Sequence, residues 1–429
     1  TRSNTIDHHT HARSTNLFVA AIIAIAIFLG IFVWDNAKMP SQPIIAPTRM
    51  PHMPPMLQPT PQPSPSAPRP IQLGQDILGE GLKDESGAAV ALSADGMILA
   101  VGESQTWDAA QAGCVRVWRY NGNQWDQKGQ TIAGESSGDQ SGSAIALSAN
   151  GDILAIGGCL NDERGMNAGH VRVWQFNRTS NEWNQIGDDI DGESESNWFG
   201  FSVSLSSNGT IMAVGAPGNG SNRGQVRVLR YNEMTDEWKQ VGQVINGEYG
   251  GDWSAWSVSL SGYGDIVAIG APSNNGYGIG SGHVRVWYYR KLWDRWIQIG
   301  QDINGESAGD ESGSSVALSR NGLVMVVGAQ YNNGNGKDSG HVRIWSYDIP
   351  TNRWEQVGQD IDGESPGDNS GISVSLSANG RVVAVGAHWN DGIGHDVGHV
   401  CVWKYDEVGG VWLQLGRDVD GQASFDEFG

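Results

Sequence analysis

Beyond residue 85, short apolar runs of Val, Ile, Leu, Ala, Trp and Tyr alternate with clusters of Gly, Asn, Asp and Ser. The arrangement returns at a fixed period. Gly79, Gly134, Gly192, Gly247, Gly305, Gly363 and Gly421 occupy one equivalent place, at steps of 55, 58, 55, 58, 58 and 58 residues. Periods of this length mark repeat architectures, in which one unit cannot bury its apolar face without its neighbours. In the fifth copy the runs are 314–319, 323–328, 341–347 and 353–358, and the third alternates with period two, as strands do. The first two runs are joined by Asp95-Gly96, Asn150-Gly151, Asn208-Gly209, Asn321-Gly322 or Asn379-Gly380. Such pairs suit a tight hairpin of type I′. The pattern contains no amphipathic helix of useful length, so each copy reads as a four-stranded antiparallel sheet.

Sheets of this size bury both faces when repeated radially, which predicts an all-β propeller. Ala-Val-Gly-Ala at 213–216 and 384–387, and Ala-Ile-Gly-Ala at 268–271, would let blades approach closely. Trp118, Trp174, Trp287, Trp345 and Trp403 would supply apolar area between blades. Six complete blades are expected near 87–134, 142–192, 199–247, 253–305, 313–363 and 371–421. Residues 71–77 read as an extra outer strand. In a longer chain that strand would close a seventh blade begun at residues 426–429; otherwise six blades close and the strand is spare.

Phe199-Gly200 followed by Gly215-Ala216-Pro217, with Gly270-Ala271-Pro272 in the next copy, resembles the FG-GAP repeat, the blade unit of the integrin α-subunit propeller. The resemblance covers residues 73–429 and implies a propeller that binds ligands on its loop face. Many blades of that family hold calcium in an Asp-x-Asp/Asn-x-Asp-Gly loop between the first two strands. Here the link offers at most one or two carboxylates, and calcium takes six to eight oxygen ligands. No calcium or other metal is therefore expected, and no cofactor. Gly-His-Val-Arg-Val-Trp is similar to WD repeats, but their period of about 40–45 residues does not fit.

The first 70 residues follow a different pattern. Residues 1–16 are a polar tail, and 17–34 are uninterruptedly apolar, long enough as a helix to span roughly 27 Å of bilayer. This reads as one transmembrane anchor, without the small-x-small site of a cleaved leader. Residues 35–70 carry 12 of the 16 prolines and read as an extended stalk. The propeller, 71–429, would then stand outside the cell or in a lumen. Asn177, Asn208 and Asn219 begin glycosylation sequons that would be used in that setting. After residue 70 there are 22 Lys and Arg against 45 Asp and Glu, a net charge of −23 that argues against a nucleic-acid partner. Cys114, Cys159 and Cys401 have no metal-ligand spacing and are expected to be free thiols.

No nucleophile elbow, HExxH or phosphate loop occurs, so no catalytic residues are assigned and the chain is not expected to be an enzyme. The repeated Glu135/Asp139, Glu306/Asp310 and Glu364/Asp368 suggest a shared structural role, with Asp capping the loop into the next blade. Arg116, Arg172, Arg227, Arg285 and Arg343 are expected to pair with those glutamates. Function is sought where copies differ. Trp198 and Trp253 stand where other copies have Glu85, Gln140, Glu311 or Asn369, with Trp256 and Tyr249 beside the second. The loop after the second strand carries Trp107, Tyr277, Tyr331 and Trp389. An aromatic-bearing loop face suits a protein or glycan ligand, and a cell-surface or lumenal binding and adhesion module is the leading expectation. The competing readings are a polysaccharide-acting hydrolase or lyase, with His388, Asp391 and His395 as its candidates, and a purely structural surface protein.

Overall fold

The structure is a computed structural model that describes residues 70–79, 85–104, 111–392 and 394–429. The tail, the apolar run 17–34, nearly all of the stalk and Trp107 lie outside these residues. Among the described residues, no helix is long and apolar enough to cross a membrane.

Six antiparallel sheets of one topology follow one another. In blade five the inner strand Ser315–Leu318 pairs with Val324–Ala329, which pairs with His341–Asp348. The fourth, outer strand is broken. Arg353–Gln356 pairs with the C-terminal half of the third strand, and Ile361–Asp362 with its N-terminal half. The first strands of successive blades pack against one another, which places them around the axis. Every residue of the second strands Ile153–Gly158, Ile211–Ala216 and Ile266–Ala271 is buried, and the core clusters draw on two adjacent blades each. This is the six-bladed propeller that the period predicts.

Two devices join blades. In the break of the outer strand a glycine takes positive φ, as Gly129 does at 77°, and the next blade's tryptophan lies over it. Trp183 Nε1 donates to Lys128 O at 2.8 Å, while Gln130 bonds both backbone groups of Trp183. The same tie holds Trp125, Trp296, Trp354 and Trp412. The deepest inter-blade tryptophans are thus these fourth-strand residues. Trp118, Trp174, Trp287 and Trp345 pack against the same cores but are only half-buried, and Trp403 is buried. On the hairpin face, backbone N–H groups of Ala94, Ala149, Ser207, Gly262 and Arg320 donate to the carbonyls of Ala149, Ser207, Gly262, Arg320 and Ala378 respectively. A belt of single bonds links all six hairpins.

Those hairpins are not of type I′. Only the glycine of each pair has positive φ, Gly96 at 71° and Gly151 at 69°, and Gly96 N bonds Ser93 O. The Asp or Asn stays at negative φ because its side chain is engaged within the turn. Asp95 Oδ1 accepts from Met97 N and from the Ser93 hydroxyl. Residues 71–77, expected as an extra outer strand, form no ladder with a sheet and are tied to blade one through Trp125, whose indole donates to Leu73 O and whose backbone bonds Gln75. They still lie over blade one as an outer strand would, with Ile77 buried against Leu99, Val101 and Trp125. The small residues act as expected: a Cβ on Gly215 would lie 2.5 Å from Ala255 O of the next blade.

Candidate functional site

The aromatic exceptions in the repeat converge at blades three and four. Trp198 and Trp253 close the loops that lead into inner strands Ser202–Leu205 and Ser257–Leu260. Their backbone N–H groups bond Asn167 O and Asn222 O in the loops after the preceding blades' second strands. Both tryptophans have positive φ, 54° and 53°. Every blade uses this conformation here, through Glu85, Gln140, Glu311 and Asn369. A left-handed backbone costs a bulky residue more than it costs Asn, so a tryptophan in this place twice over is locally unfavourable. What the rings gain is mutual contact. Trp198 and Trp253 lie 5.1 Å apart, Trp253 and Trp256 5.9 Å, Phe201 and Trp256 4.6 Å, and Trp198 stacks on Phe201 at 6.3 Å. Trp256 is exposed; the other three are half-buried.

Phe201 and Trp256 occupy one repeat position, three residues beyond the tryptophans, where other blades have Ala88, Ser143, Ser314 and Ile372. Because the first strands surround the axis, the four rings form part of the rim of the axial mouth. Sequence reasoning missed Phe201, although this substitution pattern marks it. The rim is also where chain length changes. Between second and third strands, blade three has eight residues, 217–224, against the eleven of 159–169 in blade two and 272–282 in blade four.

The other residues singled out in the sequence stay apart from this cluster. Trp389 is exposed and packs on His388 of its own loop at 4.8 Å. Tyr331 is half-buried, and burial followed by Glu311 and Asp338 raises its phenol pKa. Tyr249 and Tyr277 are exposed. His395 meets Asp391 at 3.6 Å and Asp396 at 2.9 Å on the surface; no ion pair joins His388 to them among the described residues. Burial lowers the His388 pKa to about 4. Of the sequon residues Asn177 and Asn208 are exposed, whereas the Asn219 amide donates to Asn197 Oδ1 at 3.3 Å.

The repeated charged residues build the joints. Asp139, Asp310 and Asp368 accept backbone N–H groups of Ser136, Ser307 and Ser365, and an Asn amide each from Asn161, Asn332 and Asn390. Arg343, buried in blade five, donates to Asn304 O at 2.7 Å, meets Glu306 at 3.3 Å and lies 5.3 Å over the Trp345 ring. Arg172 and Arg285 meet Glu135 and Glu248 at 3.5 and 3.4 Å. Arg116 pairs with Glu103 instead, and Arg227 donates to Asp191 O at 3.1 Å. Beside each of Arg172, Arg285 and Arg343 is a buried histidine, His170, His283 or His341, facing a Glu and an Asp. Burial and then the arginine lower the His283 pKa to about 4 and the His341 pKa to about 3, so these two rings are neutral at pH 7.

One further concavity stands out. A groove of about 690 Å³ runs between blades two and three, where Asp188 replaces the glutamine of the inter-blade tie. Asp189, Asp191, Glu193, Arg164 and Arg227 line it, and Arg164 bonds Asp191 at 3.0 Å.

Fold and joints together define a six-bladed β-propeller with an aromatic rim on its loop face. A family model described as FG-GAP repeat matches residues 304–344, a span from the outer strand of blade four into the third strand of blade five. The matched repeat and the six-bladed fold together support an FG-GAP-type β-propeller. No curated protein matches the sequence. Among solved structures, the chain is similar to a candidate 6-phosphogluconolactonase from Bacteroides uniformis, at 10% identity and a TM-score of 0.53, over 82% of this chain and 90% of that one. It is likewise similar to one from Bacteroides fragilis, at 11% identity and a TM-score of 0.54, over 82% and 89%. These likenesses show the fold. They also correct the expectation that the chain is not an enzyme, because the scaffold is shared with proteins named for lactone hydrolysis. That expectation rested on missing local motifs, whereas a propeller can assemble a site from single residues on several blades, which leaves no contiguous motif to find.

Proposed function

We propose that this protein is a membrane-anchored binding module of the cell surface or a lumen, taking a glycan or protein ligand on the rim formed by Trp198, Phe201, Trp253 and Trp256. One observation carries the reading: two adjacent blades place tryptophan in a left-handed backbone position that other blades fill with Glu, Gln or Asn. Local strain of this kind is retained where surrounding structure or function demands it. Clustered, part-exposed aromatic rings offer apolar area at low side-chain entropy cost, which is what a contact surface requires. The test presents the full chain to a glycan array and to immobilised matrix proteins, with Trp198→Ala/Trp253→Ala alongside. A ligand whose affinity falls at least about tenfold in the folded double variant supports the rim. Binding unchanged in that variant refutes it.

The groove between blades two and three favours a second reading, hydrolysis of a sugar-derived substrate. Several carboxylates beside Arg164 and Arg227 could divide acid and base roles. Sugar-lactone and polysaccharide hydrolysis by the chain, lost in Asp189→Asn, supports it; full activity in that variant removes the groove from consideration.

A further inference from the structure

Blade six breaks the joint pattern at one residue. Aligned on the third strands, Cys401 of His399-Val-Cys-Val-Trp403 stands where the other blades have Arg116, Arg172, Arg227, Arg285 and Arg343. The acidic groups that surround the guanidinium elsewhere are all retained. Glu364 corresponds to Glu306, the partner of Arg343, and Asp418 corresponds to Asp360. The substitution therefore removes a buried cation and leaves the carboxylates that faced it. Glu364 is exposed and Asp418 half-buried, so the remaining cost is repulsion between like charges gathered around the vacated place, which another cation would relieve.

The space is present. A small, partly open cavity of about 20 Å³ lies at this joint, lined by Glu364, Asp362, His399, Cys401, Trp403 and Gln414 among others. That is room for one ion or one water. His399 and Cys401 line it and Asp418 stands beside Cys401: Cys401 Sγ is 3.5 Å from His399 Nε2 and 3.0 Å from Asp418 Oδ1, and ligand atoms of the three residues lie within 4.8 Å of one another. With zinc bonds of about 2.3 Å to sulfur and about 2.0–2.1 Å to nitrogen and oxygen, tetrahedral ligands stand about 3.5 Å apart. The sulfur–nitrogen separation already has that value. The sulfur–oxygen contact is that of a thiol donating to a carboxylate, and would open by about 0.5 Å as the proton leaves. Gln414 donates to Asp418 and fixes that carboxylate's direction, as an outer-shell partner does.

We propose that His399, Cys401 and Asp418, with Glu364 at the open side, form a structural site for one divalent cation of the zinc class at the fifth-to-sixth blade joint. The ion takes the place that a guanidinium has in the other blades. Thiolate, imidazole and carboxylate together select zinc or cobalt over calcium and magnesium, which take oxygen ligands. On binding, the Cys401 proton passes to solvent and the thiolate and one carboxylate balance the two charges of the ion. His170 offers an internal comparison. It is 1% exposed, its Nδ1 lacks a hydrogen-bond partner, and it faces Glu135 and Asp189 at 3.7 and 3.8 Å, but Arg172 is present beside it. The sixth blade alone replaces the cation with a ligand.

The test titrates Co²⁺ into the full chain, freed of metal by chelation, and follows the sulfur-to-cobalt charge-transfer absorption. Zn²⁺ is then added in competition. The expected result is a saturable band that Zn²⁺ abolishes, with a rise in thermal midpoint on Zn²⁺ addition. Cys401→Arg restores the repeat's own residue and should fold, yet it should show neither band nor Zn²⁺-dependent stabilisation. Cys401→Ser serves as a second variant lacking the band, while Cys114→Ser and Cys159→Ser should retain it. No band in the wild-type chain overturns the proposal. So does a band that survives in Cys401→Arg, which would place the thiolate elsewhere.

Discussion

Gln301 and Trp354 hold each other across the joint between blades four and five. The Gln301 amide donates to Trp354 O at 2.7 Å, and the Trp354 backbone N–H donates to Gln301 Oε1 at 3.0 Å. The Trp354 indole N–H meets Ile299 O at 3.2 Å. One side chain thus stitches two outer strands that share no ladder. Gln301→Ala removes both amide bonds and leaves a part-buried N–H and C=O to find water. The expected loss is about 1–3 kcal/mol, read as a lower urea midpoint at unchanged m-value. An unmoved midpoint would mean that ring burial alone holds the joint.

Two glycines of one neighbourhood separate close approach from backbone strain. Gly358 has φ of 74°, and a Cβ there would lie 2.7 Å from Trp412 Cδ1; Gly367 has φ of 91° with open space around it. Gly367→Ala should cost only the left-handed penalty, about 1–2 kcal/mol. Gly358→Ala adds displacement of a buried indole, about 1–3 kcal/mol more. Equal losses in the two variants, by thermal or urea unfolding, would show that the Trp412 ring yields freely.

Stability should fall with acid over a window set by buried histidines. Burial first, and then Arg343, depress the His341 pKa to about 3; Asp360, Asp362 and Glu306 also face the ring. The unfolded histidine titrates near 6.5, so between about 6.5 and 3 the unfolded chain binds the extra proton. The contribution is therefore intact above pH 6.5 and is lost as pH falls towards 3. Asp362, raised to about 6 by burial and then by Asp360 and Glu306, acts in the opposite sense between about 6 and 3.8. His341→Gln, which copies Gln225 of blade three, should reduce the drop in urea midpoint between pH 7 and pH 5. A drop of undiminished size would assign acid sensitivity to the other titrating groups.

Trp198→Asn/Trp253→Asn tests whether the rim is maintained at the expense of stability. Asn tolerates positive φ and already stands at 369 in blade six, so relief of strain offsets lost ring contacts. Thermal stability should stay within about 1 kcal/mol of wild type while ligand affinity falls at least about tenfold. A loss of several kcal/mol would instead make the rings a packing cluster of the loops.

The propeller was legible because its period and strand patterning repeat six times, so a local ambiguity in one copy is resolved by the others. The roles of Asp310 and Arg343 were legible for the same reason. What escaped the reading depends on contacts between copies. Gln130 and Trp183 are 53 residues apart, and nothing local pairs them, although Gln243/Trp296, Gln301/Trp354 and Gln359/Trp412 repeat that spacing. The hairpin type was misjudged because Asp95 and its counterparts bond their own turn. Cys401 read as one free thiol among three. Only alignment on the third strand shows that it displaces an arginine, and only the fold brings His399 and Asp418 to it.

The belt of hairpin bonds from Ala94 to Ala378 divides the molecule into a constant chassis and a variable deck. A hairpin that gained one residue would misplace its donor or its acceptor and break the belt at that point. On the opposite face each loop after a second strand also bonds the loop entering the next blade, as Ala168 O accepts from Phe199 N, yet there the chain does change length, eight residues in one blade's loop against eleven in its neighbours'. New recognition surfaces can therefore be exchanged blade by blade on the deck, by grafting loops between second and third strands that keep their bond to the next blade, while the hairpin belt holds the register from below.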